Sequence, residues 1–262
     1  MSARTPSPSS PFAAVTDWIF DLDNTLYPAH CNLFRQIDAR MTEFVSRELG
    51  LDRLAARKVQ KDYYVRYGTT LSGLMREHDV APHDFMDYVH DIDLAPVDAN
   101  HELVALVDTL PGRKFIFTNG SVRHAENVIS KLGFDAAFDA IFDIADADFT
   151  PKPHRVTYDR FAQRHGVDPR AAAMFEDLAQ NLAEPHAMGM ATVLVASDAE
   201  WLADEPEEKR PAHLTVDGDH DHPPHVHHVT DNLTAFLRDV ATDAFESDEK
   251  PAMALEPKAG AR

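Results

Sequence analysis

The sequence predicts an α/β fold: a doubly wound parallel sheet with an all-helical cap inserted after its first strand. Three observations predict it. Short apolar runs recur at Trp18-Ile19-Phe20, Phe115-Ile116-Phe117, Ala140-Ile141-Phe142, Ala172-Ala173-Met174-Phe175 and Ala191-Thr192-Val193-Leu194-Val195. Runs of this length without polar alternation suit strands covered on both faces. The segments between the later runs carry helical spacing, so strand and helix alternate as in a doubly wound sheet. The long interval between the first and second runs breaks that rhythm and contains helical patterns only.

Each element has its own signal. Leu33, Phe34, Ile37, Met41, Phe44, Val45 and Leu49 form an apolar stripe that stops at Gly50, as a helix with a glycine C-cap would. Shorter helical patterns follow over Leu54 to Tyr67, Leu71 to His78 and His83 to Val89. In the core, Ser121 is placed to cap a helix carrying Val122, Ala125, Val128, Ile129 and Leu132 and closed by Gly133. Another helix is expected from Val156 to Phe161, and a last strand at Val226 to Val229. The core then comprises residues 13–27 and 100–240, the cap residues 28–99, and residues 1–12 and 241–262 lack an apolar period and are expected to be disordered tails. An insertion directly after the first strand sits over the carboxyl edge of the sheet, where open α/β sheets bind ligands.

Composition sets outer bounds. With 262 residues, 44% hydrophobic and 26% charged, the chain can bury a real core, and disorder of the whole is excluded. The formal net charge of −19 repels a nucleic-acid backbone and an anionic bilayer, so neither polymeric nucleic acid nor a membrane is an expected partner. No apolar stretch approaches the roughly 18 residues of a membrane-spanning helix, and the opening residues have no apolar signal-peptide centre. The single cysteine, Cys31, has no partner for an intramolecular disulfide, which leads to a cytoplasmic expectation. Oligomeric state is left open. Six histidines between His213 and His228 could bind a transition metal, but Pro223-Pro224 and the mixed spacing define no coordination geometry, and a structural or adventitious role is the plainer reading.

The chemistry is concentrated at strand ends. Asp21-Leu22-Asp23-Asn24-Thr25-Leu26-Tyr27 comes straight off the first strand; an acidic pair there also suits an ordinary solvated turn. The second run ends in Thr118-Asn119-Gly120-Ser121, a hydroxyl and an amide ahead of a helix N-terminus that favours anions. Lys152 lies between Pro151 and Pro153, and Glu176-Asp177 leave the fourth run, with Asn181 four residues beyond Asp177 on the same face if a helix starts there. Separately each is an everyday motif. Together they deliver carboxylates, a hydroxyl and a lysine to one edge of one sheet. Hard carboxylate oxygens select Mg²⁺, while a lysine and a hydroxyl complete a cradle for a phosphoryl group.

In order and spacing, Asp21-Leu22-Asp23-Asn24-Thr25, Thr118, Lys152 and Glu176-Asp177 resemble the haloacid dehalogenase superfamily of phosphohydrolases over roughly Trp18 to Phe236. The resemblance implies a Rossmann-like doubly wound parallel sheet core with an inserted helical cap. It implies that Asp21 is the nucleophile, Asp23 the general acid and base, Thr118 a phosphoryl ligand and Lys152 the neutralising cation. It also implies Mg²⁺ held by Asp21, Asp177 and the backbone carbonyl of Asp23, with Glu176 contributing. Asn181 stands where many members have aspartate, so it is assigned a supporting place. A carboxylate nucleophile divides a hard displacement into two easier ones, and Asp23 favours hydrolysis, because a dehalogenase attacking carbon has no need of a second aspartate.

Within the superfamily, the run Asp21 to Pro28, the segment Tyr67-Gly68-Thr69-Thr70-Leu71, Asp91-Ile92-Asp93-Leu94 and Phe175 to Leu182 resemble the pyrimidine 5'-nucleotidase branch. The implied substrate is a nucleoside monophosphate such as UMP or CMP. Relatives in that branch also accept other phosphomonoesters, including lysophosphatidate, and a sugar phosphatase or a phosphomutase would keep the same strand-end residues. Tyr67, Thr69 and Thr70, beside the helix-breaking Gly68, are the candidate leaving-group contacts in the cap, with Asn119 from the core. An anionic substrate on so acidic a chain calls for a locally positive pocket, built from Lys152 and the metal.

Overall fold

A computed structural model describes residues 11–134, 136–197, 199 and 222–242. Among them, six strands make one sheet: β1 (Asp17–Phe20), β2 (Arg113–Phe117), β3 (Ala140–Phe142), β4 (Ala172–Glu176), β5 (Ala191–Val195) and β6 (His228–Thr230). Their order is β3-β2-β1-β4-β5-β6, every neighbouring pair parallel, with Ile19 beside both Phe115 and Met174. The alternation hidden in the apolar runs now appears. Trp18, Phe20, Ala173 and Phe175 enter one core, and Ile19, Phe115, Ala172 and Met174 the other. Both faces are therefore buried, each large side chain contributing about 1.5–3 kcal/mol. Trp18 is further fixed by its indole N–H, which donates to the Pro111 carbonyl at 2.8 Å.

Helices-only between β1 and β2 is what the structure shows: α1 (Leu33–Leu49), α2 (Arg53–Tyr67), α3 (Thr70–His78) and α4 (Pro82–Val89) precede α5 (His101–Thr109). The first four share a core of their own that includes Ile37, Val45, Tyr63, Leu74, Phe85 and Val89. Local chemistry sets their ends. Gly50 closes α1 in the left-handed region, and Asp52 caps α2 by accepting from the Leu54 and Ala55 amides. The remaining helices, α6 (Val122–Leu132), α7 (Arg155–His165), α8 (Ala183–Met188) and α9 (Leu233–Thr242), flank the sheet. Ser121 caps α6 by accepting from the His124 amide, and Gly133 ends it.

Three expectations need correction. Phe12, assigned to a tail, is fully buried, stacked on Trp18 at 6.0 Å and edge-on to Phe236 at 5.7 Å; one aromatic among Ser and Pro produces no period to read. Asp177 starts no helix, because the chain takes a short 3-10 turn over Ala179–Leu182 before α8. The last strand begins at His228, since Val226 is buried in the turn ahead of it. Residues 1–10 and 243–262 of the expected tails, with His213 and His220, lie outside the described residues. His225 and His227 of the histidine run bond to Ala179 O and to Thr192, and His228 packs against Phe12. No helix among the described residues is long and apolar enough to cross a membrane.

Candidate active site

The sheet reverses direction between β1 and β4, because β2 and β3 build out one way from β1 while β4, β5 and β6 build the other. Open α/β sheets bind ligands at such a reversal. Here Asp21 and Asp23 leave β1, Glu176 and Asp177 leave β4, and Thr118 follows β2. The Asp21 amide donates to Phe175 O at 2.9 Å, so the ladder carries the two acidic ends out side by side.

Lys152 reaches into this edge from the loop before α7 and is 2% exposed. Its ammonium donates to Asp21 Oδ1 at 2.7 Å, to Glu176 Oε1 at 2.7 Å and to Phe117 O at 2.8 Å, which uses all three of its protons. Burial alone would lower the Lys152 pKa, but Asp21 and Glu176 raise it above the ordinary lysine value. Asn119 holds the loop: its Oδ1 accepts from the Lys152 amide at 2.8 Å and its Nδ2 donates to the Lys152 carbonyl at 3.4 Å. Asn119 lines the cavity, and its amide is engaged in placing Lys152. Thr118 is buried, and its Oγ1 accepts from the Gly120 amide at 2.9 Å.

The carboxylates outnumber the cation. Oxygens of Asp21, Glu176 and Asp177 lie within 4.8 Å of one another, all buried. Burial, opposed by Lys152 and reinforced by Glu176 and Asp23, raises Asp21 from 3.8 to about 7. Burial followed by Glu176 and Asp21 pushes Asp177 well above the carboxylate range. Asn24 donates to Asp177 Oδ2 at 3.3 Å, while Asn24 Oδ1 and Asn181 Oδ1 are buried without a hydrogen-bond partner among the described residues. Three buried carboxylates against one ammonium leave two negative charges to balance, and the donors are all hard oxygens. That set fits a divalent cation of the Mg²⁺ kind. Asp21 and Asp177, with Glu176 beside them, are the residues that would hold it. The side chains alone leave this end of the pocket negative, so the positive pocket expected from Lys152 together with a metal would need the cation's charge.

Asp23 is treated differently from its neighbours. Burial would raise it, but His124, Nε2 2.7 Å from Asp23 Oδ1, and Tyr27, whose hydroxyl donates at 2.6 Å, hold it at about 2. His90 stacks on His124 with ring centroids 4.3 Å apart, and burial, then His124, lower it to about 3. Sequence reasoning assigned no role to His124, His90 or Tyr27. Tyr27 was findable, since it follows Asp23 by the same four residues that place Thr25 Oγ1 on Asp21 Oδ2 at 3.2 Å. His124 lies in the first turn of a helix starting at the ligand edge. Nothing in the sequence marks His90.

A cavity of about 160 Å³ runs from these residues into the cap. Thr69 and Thr70 line it, but their hydroxyls already serve the fold: Thr69 caps α3 by accepting from the Ser72 amide at 3.0 Å, and Thr70 donates to Gln60 O at 3.3 Å. Tyr67 is a correction. Its hydroxyl donates to Glu77 and its ring lies against Tyr63 and Arg66, outside the cavity lining, where Tyr64 stands instead. The chain turns at Gly68, φ +85°, only after Tyr67 has been directed along α3. Asn181 does support the site, with Nδ2 donating to Glu176 Oε1 at 2.7 Å.

The chain is similar to known proteins. The Saccharomyces cerevisiae Phosphate metabolism protein 8 is 27% identical over 207 residues, 72% of this chain and 64% of the yeast protein, so the chain spans just under two thirds of that relative's length. Among solved structures, a HAD phosphatase from Thermococcus onnurineus has a TM-score of 0.53 at 14% identity, covering 88% of this chain and 98% of its own. L-2-haloacid dehalogenase from Xanthobacter autotrophicus has a TM-score of 0.52 at 16% identity, covering 87% and 99%. At these identities the structures show the fold alone, a parallel six-stranded α/β sheet with flanking helices. The family model of the haloacid dehalogenase-like hydrolases matches residues 19–189, from within β1 through α8 and hence across the ends of β1, β2 and β4 that carry the site residues. The chain belongs to the haloacid dehalogenase-like hydrolases.

Proposed function

We propose that the protein is a Mg²⁺-dependent phosphomonoesterase that works through a phosphorylated Asp21 and acts on pyrimidine nucleoside 5'-monophosphates. The observation that carries the reading is Asp21 itself: a buried carboxylate gripped by Lys152 at 2.7 Å, with a second aspartate two residues on and Asp177 across the sheet reversal.

Asp21 attacks phosphorus, forming an aspartyl-phosphate as the bond to the leaving oxygen breaks, while Asp23 passes that oxygen a proton from His124, 2.7 Å away, to which it returns the proton it later takes from water. Asp23 then takes a proton from water as the water attacks phosphorus, and inorganic phosphate departs with Asp21 restored. Tyr27 and His124 hold Asp23 in the ionised form that this second step requires. Thr118 and the helix N-terminus behind it supply donors to the phosphoryl oxygens, and Lys152 offsets their charge. When bound, Mg²⁺ supplies Lewis-acid neutralisation of the phosphoryl oxygens. Asp23 separates this reading from a dehalogenase, and the yeast relative's name supports phosphate chemistry.

The test is phosphate release from nucleoside monophosphates, sugar phosphates and lysophosphatidate, with Mg²⁺ or EDTA, wild type beside Asp21→Asn. Metal-dependent release from UMP and CMP, reduced at least about a thousandfold in Asp21→Asn, is expected. Release from sugar phosphates or lipid alone would retain the mechanism and discard the nucleotide. A phosphate that moves within the substrate without release would mean a mutase.

A further inference from the structure

The cap half of the cavity sets apolar walls, Phe34, Met41 and Phe85 among them, beside Tyr64, Thr69, Thr70 and His90, and at one place it carries an ion pair. There Asp38 on α1 faces Lys61 on α2, Nζ 2.7 Å from Oδ1, their side chains only 12% and 17% exposed. Gln60 donates to the same Asp38 Oδ1 at 2.6 Å and accepts from Thr42, and Arg57 reaches Oδ2 at 2.7 Å. Asp38, Gln60 and Lys61 all line the cavity that Asp21 lines. An ion pair half sunk in an apolar wall loses hydration on both partners, and helix packing alone does not ask for one beside the substrate's path.

We infer that the Asp38–Lys61 pair is the site that reads the leaving group, taking the donor–acceptor edge of a nucleobase while the apolar walls enclose its ring. The inference rests on the proposed phosphomonoesterase reading and deepens it. An ammonium and a carboxylate side by side offer one donor and one acceptor, which matches adjacent C=O and N–H groups in one plane, such as O4 and N3–H of uracil. A saturated chain would instead cover the pair without replacing its lost water. Gln60 is a positioning residue here, holding Asp38 toward Lys61.

The experiment measures phosphate release with Mg²⁺ by the full chain, using UMP, N3-methyl-UMP, ribose 5-phosphate and lysophosphatidate. In the wild type, methylating N3 removes the donor and is expected to lower kcat/KM about tenfold or more, through KM with kcat little changed. In Lys61→Met, the advantage of UMP over ribose 5-phosphate is expected to collapse. The wild-type substrate series decides the matter even if that variant folds poorly. Equal kcat/KM for UMP and N3-methyl-UMP, or preference for lysophosphatidate or ribose 5-phosphate over UMP, overturns the base-reading site and leaves the phosphatase standing. No phosphate from any of the four substrates overturns both.

Discussion

Asp23 and Asp38 show how neighbours, more than residue type, decide what a carboxylate does. Asp23 is oriented by two groups outside the phosphoryl cradle, Tyr27 and His124. Tyr27→Phe and His124→Gln are therefore expected to lower kcat by about tenfold to a hundredfold with KM nearly unchanged, checked by steady-state kinetics on UMP. For Asp38, burial raises the pKa but Lys61 and then Arg57 bring it below 3.8. A depressed folded-state value means the ionised form stabilises the fold above the unfolded pKa, and the contribution is lost as pH falls through the lower folded value. Asp38→Asn is then expected to reduce unfolding free energy by about 2 kcal/mol near pH 7, with the difference from wild type vanishing in strong acid. Urea titrations of both proteins across pH check it. The residues that the sequence marked and the structure brings together are Asp21, Asp23 and Asp177, in contiguous motifs at strand ends, and Lys152, in a proline-flanked loop. His90 and Lys61 were not marked, because their importance lies in partners far along the chain or in an adjoining helix. Tyr67 misled because an aromatic at helical spacing has no intrinsic side, and an acidic residue on α3 drew it outward.

At the scale of elements, α2 and α3 approach so closely that only glycine fits between them. A Cβ on Gly73 would stand 2.3 Å from Tyr63 Cγ, near the root of a side chain that has little room to move. Gly73→Ala is expected to destabilise the protein by about 1–3 kcal/mol and to raise KM, since α3 carries the Thr69–Thr70 wall; thermal melts with kinetics check both. Gly112 is tighter still, its φ of +79° turning the chain into β2 with a Cβ position 2.1 Å from Thr16 O. Strands and long helices were legible because period and caps agree along their length. The turn after Asp177 was not: Leu178-Ala179-Gln180-Asn181 suits a helix locally, but the Leu178 amide is taken by Glu176 Oε2 at 2.9 Å, and that contact tightens the first turn.

For the whole molecule, charge is the governing quantity. Saturating Mg²⁺, at about a hundred times its Kd, is expected to add about 2.7 kcal/mol and so raise Tm by about 5–10 °C. Asp177→Asn should lose most of that shift while melting higher than wild type in EDTA near pH 7, because the folded state no longer holds a buried carboxyl whose ionisation burial, Glu176 and Asp21 oppose. With a formal charge of −19, the surface opposes a dianionic substrate, so kcat/KM is expected to rise severalfold from about 10 mM to about 150 mM salt; a fall would mean that the cavity mouth attracts anions. The general plan of sheet and cap was legible because it depends on where polar intervals fall, whereas the seating of the cap on the sheet depends on single contacts. Within the cap, Gln36 pairs mutually with the backbone of Asp93, Nε2 to Asp93 O at 2.9 Å and Asp93 N to Oε1 at 3.0 Å. This pairing ties the outgoing chain to the returning one, and residues 26–28, 30–32 and 96–100 border the same groove. The chain thus leaves the sheet for the helices over the site and returns from them at one place. Such a piece can be exchanged as a cassette, so descent could swap what the enzyme recognises while inheriting intact the machinery that breaks the bond.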